Sequence, residues 1–180
     1  MNNDGRDQAL VKRCKRGDRK ALEELVGHYQ KPVYNAAYRI LGNPDDAADA
    51  TQVVFMKAFE HLGQYDPKYK FFSWIYRIAV NEAINQLKRS RNQQPLDDTE
   101  VAGTRGPDAT VEAGDLYREI QGGLMGLTED YRTVIVLRHF SECSYQQISE
   151  ILQIPEKTVK SRLYSARQIM KDTLQSRGVY

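Results

Sequence analysis

The 180-residue sequence contains few of the residues that build disulfides, metal sites and membrane spans. Its two cysteines, Cys14 and Cys143, lie far apart and outside any CxxC spacing, so they offer neither a disulfide framework nor a zinc site. The three histidines have no metal-ligand spacing, and no GxxxxGK[ST] loop for nucleotide hydrolysis occurs. No apolar run approaches the ~18 residues that a membrane-spanning helix needs. We therefore expect no metal, no cofactor and no catalytic cluster.

The same scarcity bears on where the chain acts. Residues 1–18 lack the apolar segment of a secretory signal peptide, and unpaired thiols are typical of a reducing compartment. We therefore expect a cytoplasmic protein without membrane insertion. A redox-sensing role for either cysteine stays open, although buried or incidental thiols are the more common case.

Charge is unevenly distributed along the chain. Residues 1–94 carry 16 basic and 11 acidic side chains, residues 95–120 carry 2 and 7, and residues 121–180 carry 8 and 6. The C-terminal basic charge is concentrated, since residues 156–177 hold six basic and two acidic groups. Such a patch favours a polyanionic partner, although many solvated helices are similarly charged.

Apolar residues recur at helical spacing through most of the chain, and no strand pattern is present. Asp18 is placed to cap a helix that ends at Gly42, and Pro32 should kink or interrupt that helix. Asn43 followed by Pro44 predicts the start of the next helix, which runs to about residue 62. Further helices are expected at 71–91, around 113–124, 129–139 and 145–152, and over 158–170.

A break in this pattern divides the chain. Residues 92–112 are rich in proline, glycine, threonine and acidic residues and have no apolar period, which predicts a flexible linker. The predicted fold class is therefore all-α: two small helical domains, residues 1–91 and 113–180, are joined by an acidic linker. The second domain is expected to contain a helix-turn-helix.

That helix-turn-helix is predicted from residues 144–170. Ser144 and Gln147 form a capping box ahead of a short apolar helix, and the turn QIP (153–155) precedes a second helix whose apolar residues share one face. A helix-turn-helix places its second helix in the DNA major groove. The candidates to reach base edges are Lys157, Lys160, Ser161 and Tyr164, and those suited to phosphates are Arg162, Arg167 and Lys171.

Each of these candidates has a structural alternative. The whole stretch could be an ordinary amphipathic surface helix with a solvated polar side. Arg162 lies close to the apolar face and could form a structural salt bridge, and Tyr164 could pack within the domain.

The helix over residues 71–91 is mostly apolar around its circumference, but a narrow polar strip remains. The strip consists of Arg77, Asn81, Asn85 and Lys88, with Trp74 at its head. Asparagines are poor helix formers, so their presence on one strip suggests that they bind something. Amides and an aromatic ring suit exposed bases, and the KRSR run (88–91) suits a nucleic-acid backbone. The alternative is a solvated strip beside a half-buried tryptophan.

Three segments resemble bacterial RNA polymerase sigma factors. They are GNPDDAADATQVVFMKAF (42–59), FFSWIYRIAVNEAINQLKR (71–89) and LTEDYRTVIVLRHFSECSYQQISEILQIPEKTVKSRLYSARQIM (127–170). They look like the second and fourth conserved regions of that family. Because the third region is missing and the linker is short, the chain resembles the extracytoplasmic-function (ECF) group.

The resemblance implies a role for each segment. The helix over 44–62 would dock on the clamp coiled coil of core RNA polymerase, with Asp49, Gln52 and Phe55 as candidate contacts, although Phe55 could instead belong to the core. The loop 64–70 and the helix after it would recognise and melt the −10 element of promoter DNA. Candidates for the pocket that holds a flipped base are Tyr65, Phe71, Trp74 and Asn81. The helix-turn-helix would read the −35 element through Lys157, Thr158, Lys160, Ser161, Tyr164 and Ser165.

Two positions depart from the family pattern. An acidic residue usually follows the glutamine of the docking helix, whereas this chain has Val53, and SECSY (141–145) lacks the glycine often found before the capping serine. The family also commonly binds an anti-sigma factor, although no residue here establishes such a partner.

Three rival functions remain to be weighed. A stand-alone repressor or response regulator would need a sensory domain, commonly β-containing, yet residues 1–91 are predicted to be helical. A scaffold or anti-polymerase protein that binds core polymerase without DNA would have no use for the polar strips at 77–88 and 157–165. An intracellular enzyme would need a catalytic cluster, and the sequence offers none. The prediction is thus a non-enzymatic ECF sigma factor that binds core RNA polymerase and promoter DNA.

Overall fold

A computed structural model describes residues 4–93 and 111–179 of the chain, with side chains at 4–91 and 114–179. Within these ranges the chain forms eight α-helices and no strand, which confirms the predicted all-α class. The helices are α1 (Asp4–Cys14), α2 (Arg19–Leu41), α3 (Pro44–Glu60), α4 (Phe71–Gln93), α5 (Val111–Met125), α6 (Glu129–Ile135), α7 (Tyr145–Leu152) and α8 (Glu156–Ser176). Most of the predicted linker, 94–110, lies outside the described residues, and the domain boundaries at 91 and 113 stay a prediction.

The helix ends follow the capping residues read from the sequence. The Asp18 side chain accepts hydrogen bonds from the backbone N–H groups of Lys20 and Ala21, and Gly42 ends α2 in the left-handed region at φ 80°. Asn43 caps α3 by accepting from the N–H groups of residues 45 and 46. Ser144 and Gln147 form the expected capping box at the start of α7. Local chemistry therefore sets where these helices begin and end.

Two features of the N-terminal part differ from the sequence prediction. Pro32 does not interrupt α2, which runs unbroken to Leu41, because the residues after the proline are buried against neighbouring helices. Helix α1 was not predicted, since its buried side has only Leu10 and Val11 as apolar residues and includes the carboxylate of Asp7. Asp7 accepts a hydrogen bond from the Tyr29 hydroxyl at 2.5 Å, which attaches α1 to α2.

Helices α1–α4 form the N-terminal domain. Its core contains Leu25, Val33, Val54, Ile75 and Ala79, each at most 2% exposed. A buried carboxylate also joins two of its helices, because Glu82 on α4 pairs with Lys57 on α3 and with Arg89. Contacts on the other sides of α4 therefore fix the position of the helix that carries the polar strip.

Helices α5–α8 form the C-terminal domain, in which α7 and α8 are the two helices of the predicted helix-turn-helix. A π-helical turn, Val136–Phe140, extends α6 toward α7. The core of this domain contains Leu124, Val134, Leu137, Ile148 and Leu163. The sharp turn between α7 and α8 passes through Gln153, which adopts φ 54°.

The two domains are packed against each other and share one apolar core. Arg132, only 7% exposed, donates to the Ile40 carbonyl oxygen of α2 at 2.6 Å as well as to three carbonyl oxygens at the α5–α6 connection. At a second contact, Arg39 on α2 lies between the rings of Tyr117 and Phe140, with its guanidinium carbon 4.1 and 4.3 Å from their centroids. Two tethered modules were expected, and the structure shows them in direct contact.

Of the helices in the described ranges, none combines the length and the apolar character that crossing a bilayer requires.

Candidate nucleic-acid and protein interfaces

The outer face of α8 carries exposed residues of the predicted −35 site. Val159, Leu163 and Ala166 are buried against the rest of the C-terminal domain and fix the rotation of the helix. The residues on the opposite face are consequently exposed: Lys157, Lys160, Ser161 and Tyr164. Thr158 and Ser165 are half-buried at the edges of this face. Four of the residues predicted to read the −35 element thus share one solvent-facing surface.

Tyr164 settles one of the alternatives left open by the sequence. Its side chain is 69% exposed, so it does not pack within the domain. A tyrosine combines an apolar ring with a hydroxyl that donates and accepts hydrogen bonds. An exposed tyrosine between basic residues is therefore available to a base or to a thymine methyl group.

The two arginines of α8 already have partners inside the domain. Arg162 forms an ion pair with Asp130 of α6 at 2.6 Å, which is the structural alternative considered for it. The Arg167 Nε–H donates to Nε2 of His139 at 3.3 Å. Burial and the nearby Arg167 lower the pKa of His139, which keeps that imidazole neutral and able to accept the hydrogen bond. Both arginines can bind phosphate only beside, or in exchange for, these contacts.

A further basic group lies next to α8 and was missed in the sequence. The guanidinium carbon of Arg138 lies 5.2 Å from the ring centroid of Tyr145, and the ammonium of Lys160 lies 5.9 Å from the same ring. Arg138 also donates to the Cys143 carbonyl oxygen at 2.8 Å. Tyr145 thereby brings together cations from the π-helical turn and from α8, which extends the basic surface beyond α8 itself.

The polar strip of α4 is divided between solvent and the C-terminal domain. Asn81, Asn85 and Lys88 are exposed, so their side chains are accessible to a ligand. Arg77, by contrast, donates to the Glu150 carbonyl oxygen of α7 at 2.8 Å. The neighbouring Ser73 hydroxyl donates to the Glu150 carboxylate at 3.3 Å. Arg77, the first polar residue of the strip, is thus covered by α7, the first helix of the helix-turn-helix.

The aromatic residues expected to line a base pocket form a packed cluster instead. Tyr65 and Phe71 are 3% and 2% exposed, and their ring centroids lie 5.6 Å apart in an edge-to-face arrangement. Trp74 contacts both rings at 5.5 Å and is half-buried. Burial raises the pKa of Tyr65 to about 12, in keeping with an enclosed hydroxyl. In this conformation Tyr65 and Phe71 pack beneath the surface of the site and present no ring face to a base.

The loop between α3 and α4 offers a different aromatic residue. Tyr69 is 54% exposed. Its backbone is held in place because its carbonyl oxygen accepts a hydrogen bond from the Tyr65 hydroxyl at 2.6 Å. The Lys68 N–H donates to the Asp66 side chain at 3.0 Å, which forms a local turn. The loop therefore has an ordered backbone and an outward-facing ring. Residue type alone could not show that Tyr65 is buried and Tyr69 is exposed.

A second type of surface lies on α3. Asp49 and Gln52 are exposed, while Phe55 is 9% exposed and lies at the bottom of a groove of about 660 Å³ between α2 and α3. Met56, which the sequence reading did not select, is 59% exposed at the edge of the same groove. Val53 is half-buried. An acidic and amide edge beside an apolar groove is suited to a helical protein partner.

Neither metal nor thiol chemistry is supported by these surfaces. In the part of the chain that the structure describes, no three histidine, cysteine or acidic side chains are close enough to share a metal ion. Burial raises the pKa of Cys143 to about 12 and also raises that of Cys14. Both thiols therefore hold little thiolate at neutral pH, which is the reactive form.

Comparison with protein families agrees with this division into two domains. Residues 25–93 match the model of Sigma-70 region 2, which covers most of α2 together with α3 and α4. Residues 117–170 match the model of Sigma-70 region 4, which includes α7 and most of α8. Helix α1 precedes both matches.

Individual relatives match nearly the whole chain. The ECF RNA polymerase sigma factor SigW of Bacillus subtilis is 36% identical over 177 residues, which span 91% of this chain and 94% of SigW. The ECF RNA polymerase sigma-E factor of Escherichia coli K12 is 31% identical, with 94% of each chain covered. A similar fold is seen in CnrH solved with the cytosolic domain of CnrY, at a TM-score of 0.73 and 23% identity over 94% of this chain and 97% of that one. Two matched sigma regions and relatives of this similarity establish that the chain belongs to the ECF RNA polymerase sigma factors.

Proposed function

We propose that this chain binds core RNA polymerase and directs it to promoters that carry specific −35 and −10 elements. The observation that carries the proposal is the outer face of α8, where two lysines, a serine and a tyrosine are exposed on the second helix of a helix-turn-helix. That position in the motif enters the major groove of DNA. The other two surfaces, on α3 and α4, then belong to the same task.

Recognition of the −35 element is assigned to α8. Lys157, Lys160, Ser161 and Tyr164 lie within the first turns of the helix, where side chains reach base edges. Thr158 and Ser165 flank them. Arg162, Arg167 and Lys171 are assigned to phosphates, which fix the position of the helix on the duplex without reading sequence. Arg138, beside Tyr145, joins this second group.

Recognition and opening of the −10 element are assigned to the loop 64–70 and α4. Asn81 and Asn85 present amide groups that can pair with the edges of unstacked bases, and Lys88 can bind the backbone. Trp74 and Tyr69 supply ring faces for stacking, while Tyr65 and Phe71 hold the loop and the tryptophan in place. Strand opening in this scheme is driven by binding of the unstacked bases, without nucleotide hydrolysis.

Docking on core RNA polymerase is assigned to the groove between α2 and α3. Gln52 lies along its edge, Phe55 forms its floor, and Met56 adds exposed apolar surface. Asp49 is exposed one turn before Gln52 on the same helix. This groove lies away from the contacts between the two domains, so it is accessible in the packed arrangement. Docking can therefore precede DNA recognition.

Promoter recognition requires the two domains to separate. The −35 and −10 elements are about 25 base pairs apart, which corresponds to ~85 Å of duplex. A compact chain of this length is only about 40 Å across. Arg77 is also engaged by Glu150 in the packed form. We therefore assign the packed form to the protein before it reaches promoter DNA.

An anti-sigma protein is a further proposed partner, supported by the structure of the Bartonella quintana sigma factor RpoE with the anti-sigma factor NepR, whose TM-score is 0.74 at 21% identity.

Transcription in vitro with core polymerase and genomic promoter fragments tests the proposal. Wild-type protein should confer initiation at a defined subset of fragments. The double variant Asp49→Ala/Gln52→Ala should bind core polymerase at least tenfold more weakly while it keeps its helicity and melting temperature, because both side chains are exposed. Exposed Gln30 and Lys31, across the groove on α2, provide a matched pair of alanine variants that maps the width of the contact. Unchanged core binding by the Asp49/Gln52 variant in a pull-down would exclude α3 as the docking helix.

A further inference from the structure

Helix α1 lies before the segment that matches Sigma-70 region 2, yet it contacts the loop assigned to the −10 element. The Gln8 amide donates to the Pro67 carbonyl oxygen at 3.0 Å, and the Lys15 ammonium donates to the Tyr65 carbonyl oxygen at 3.3 Å. Asp4 forms an ion pair with Lys70 at 2.9 Å. Three residues spread along α1 thus hold the backbone and one side chain of the loop.

A cleft of about 250 Å³ lies between α1 and this loop. It is lined by Gln8, Val11, Lys12, Lys15, Tyr65 and Pro67. Both charged lining residues are lysines, one turn apart on the same side of α1. No acidic side chain is among the residues that line it. The charges that line the cleft are therefore positive, while the carboxylates of Asp4, Asp7 and Asp66 act electrostatically on Tyr65 in its wall.

Both lysines retain donors for a ligand. An ammonium group has three N–H donors. Lys15 uses one of them for the Tyr65 carbonyl oxygen, and its ammonium nitrogen lies 5.9 Å from the Tyr65 ring centroid. The Lys12 side chain is exposed and forms neither an ion pair nor a hydrogen bond with any residue in the described ranges. Two ammonium groups with free donors beside an ordered backbone are suited to an anionic oxygen such as that of a phosphate.

We propose that α1 belongs to the −10 recognition site: the cleft binds a backbone phosphate of the displaced single strand through Lys12 and Lys15, while Gln8 positions the loop that contacts the neighbouring base. This inference rests on the proposed function, because it assumes that the loop 64–70 reads the −10 element. It adds a phosphate contact outside the segment matched to Sigma-70 region 2. The strand is favoured over a free anion because the loop beside the cleft presents Tyr69 for stacking.

The phosphate contact is tested with the full-length chain and a single-stranded oligonucleotide. The oligonucleotide carries the non-template −10 region of a promoter that the wild-type protein transcribes in vitro. Lys12→Gln should weaken binding roughly fivefold at low salt and reduce the slope of log affinity against log salt by about 0.7, as expected for one lost phosphate contact on a single strand. Lys12→Arg should keep the wild-type slope. Lys20→Gln is the matched control, because Lys20 is exposed in the same basic part of the sequence but does not line the cleft.

The positioning role of Gln8 needs a separate measurement. Gln8→Leu keeps the approximate side-chain volume but removes the donor to the Pro67 carbonyl. The ratio of affinities for the cognate strand and single-base −10 variants should fall at least threefold, while binding of a −35 duplex and the melting temperature stay near wild type. A residue with only a structural role would lower the melting temperature and weaken binding to all strands alike.

The outcomes separate this inference from the proposed function. Wild-type protein that initiates at no promoter fragment overturns the proposed function itself. Wild-type protein that initiates, together with a Lys12→Gln salt slope equal to that of Lys20→Gln, overturns the phosphate contact alone. An equal loss of slope on the −35 duplex also overturns it, because the lysine would then act through general charge.

Discussion

The two helices assigned to DNA, α4 and α8, differ in how their polar faces are used in the same structure. On α8 the four residues assigned to base edges are exposed, and the contacts inside the domain are made by the arginines at its sides. On α4 the first polar residue, Arg77, is held by the Glu150 carbonyl oxygen, and only the later residues of the strip are exposed. One face is therefore ready to bind, whereas the other is partly occupied by the partner domain.

The difference follows from what each helix must recognise. The major groove of duplex DNA presents its donors and acceptors without any rearrangement of the DNA, so a preformed helix face is sufficient. Bases of the −10 element become accessible only after they leave the stack. Arg77, the residue of the strip that is released only when the domains separate, would couple base capture to the form that can span both elements. The contact between α4 and α7 is the place where this coupling can be tested.

The largest effect is expected from holding α4 and α7 together. In a Ser73→Cys/Glu150→Cys variant, a short cleavable thiol cross-linker should reduce promoter-specific transcription more than tenfold, because the joined domains cannot reach both elements. Binding to core polymerase should persist, since the α2–α3 groove lies elsewhere.

Single-cysteine variants treated with the same reagent provide the control, because Cys14 is only half-buried in the wild-type chain. Cleavage of the thiol cross-linker should restore transcription. A cross-linked protein that initiates as well as wild type would show that the comparison between covered and exposed faces has no functional meaning.

The next effect concerns the exposed part of the α4 strip. Asn81→Ala should reduce open-complex formation about tenfold, while closed-complex formation changes little, because the amide can pair with a base edge only after the base is unstacked. Permanganate footprinting measures the open complex.

Asn35→Ala on α2 is the matched control, because it removes an exposed helical asparagine far from the strip in sequence and has the same effect on helix propensity. Pre-melted bubble templates complete the comparison. Equal loss by the Asn81 variant on bubble and duplex templates would mean that this residue supports base binding in general and has no part in opening.

The exposed face of α8 could be predicted from sequence because it depends on local periodicity. Buried Val159, Leu163 and Ala166 recur at helical spacing, so the opposite face is determined once the helix forms. The capping residues at Asp18 and Ser144 likewise act within one turn of their own helices. Such features require no knowledge of the rest of the molecule.

The covered face of α4 could not be predicted in this way. Arg77 has the residue type of a DNA contact, and only the position of α7 shows that its partner is a backbone carbonyl. Residue type was equally insufficient for Tyr65 and Phe71, since an aromatic residue suits a core as well as a base pocket. Helix α1 was missed because the buried side of this short helix includes the charged residue Asp7. All these features depend on contacts between segments distant in sequence.

A smaller effect is expected on α8, where residues that contact DNA bases and residues that contact DNA phosphates should respond differently to mutation. Lys160→Ala should relax the preference at one or two positions of the −35 element, because a good base contact contributes roughly 1–3 kcal/mol of discrimination. Lys171→Ala, about three turns further along the helix, should weaken all sequences alike and reduce the salt slope by about one. A panel of single-base −35 duplexes at several salt concentrations measures both. Equal weakening across the panel for Lys160→Ala would make this face a backbone clamp.

The smallest effect is expected from Arg162 of α8, which has either a structural role or a role in binding DNA. Arg162 is paired with Asp130, and a half-exposed ion pair of this kind contributes only ~0–1 kcal/mol to stability. Asp130→Asn should therefore change the free energy of unfolding little, but it should raise affinity for −35 duplexes two- to fivefold because Arg162 is released to a phosphate. Loss of a negative charge could produce the same gain without Arg162, so the measurement is repeated in an Arg162→Ala background. A gain that disappears there identifies Arg162 as a phosphate contact exchanged on binding. A gain that persists would leave Arg162 as a structural residue that makes no phosphate contact.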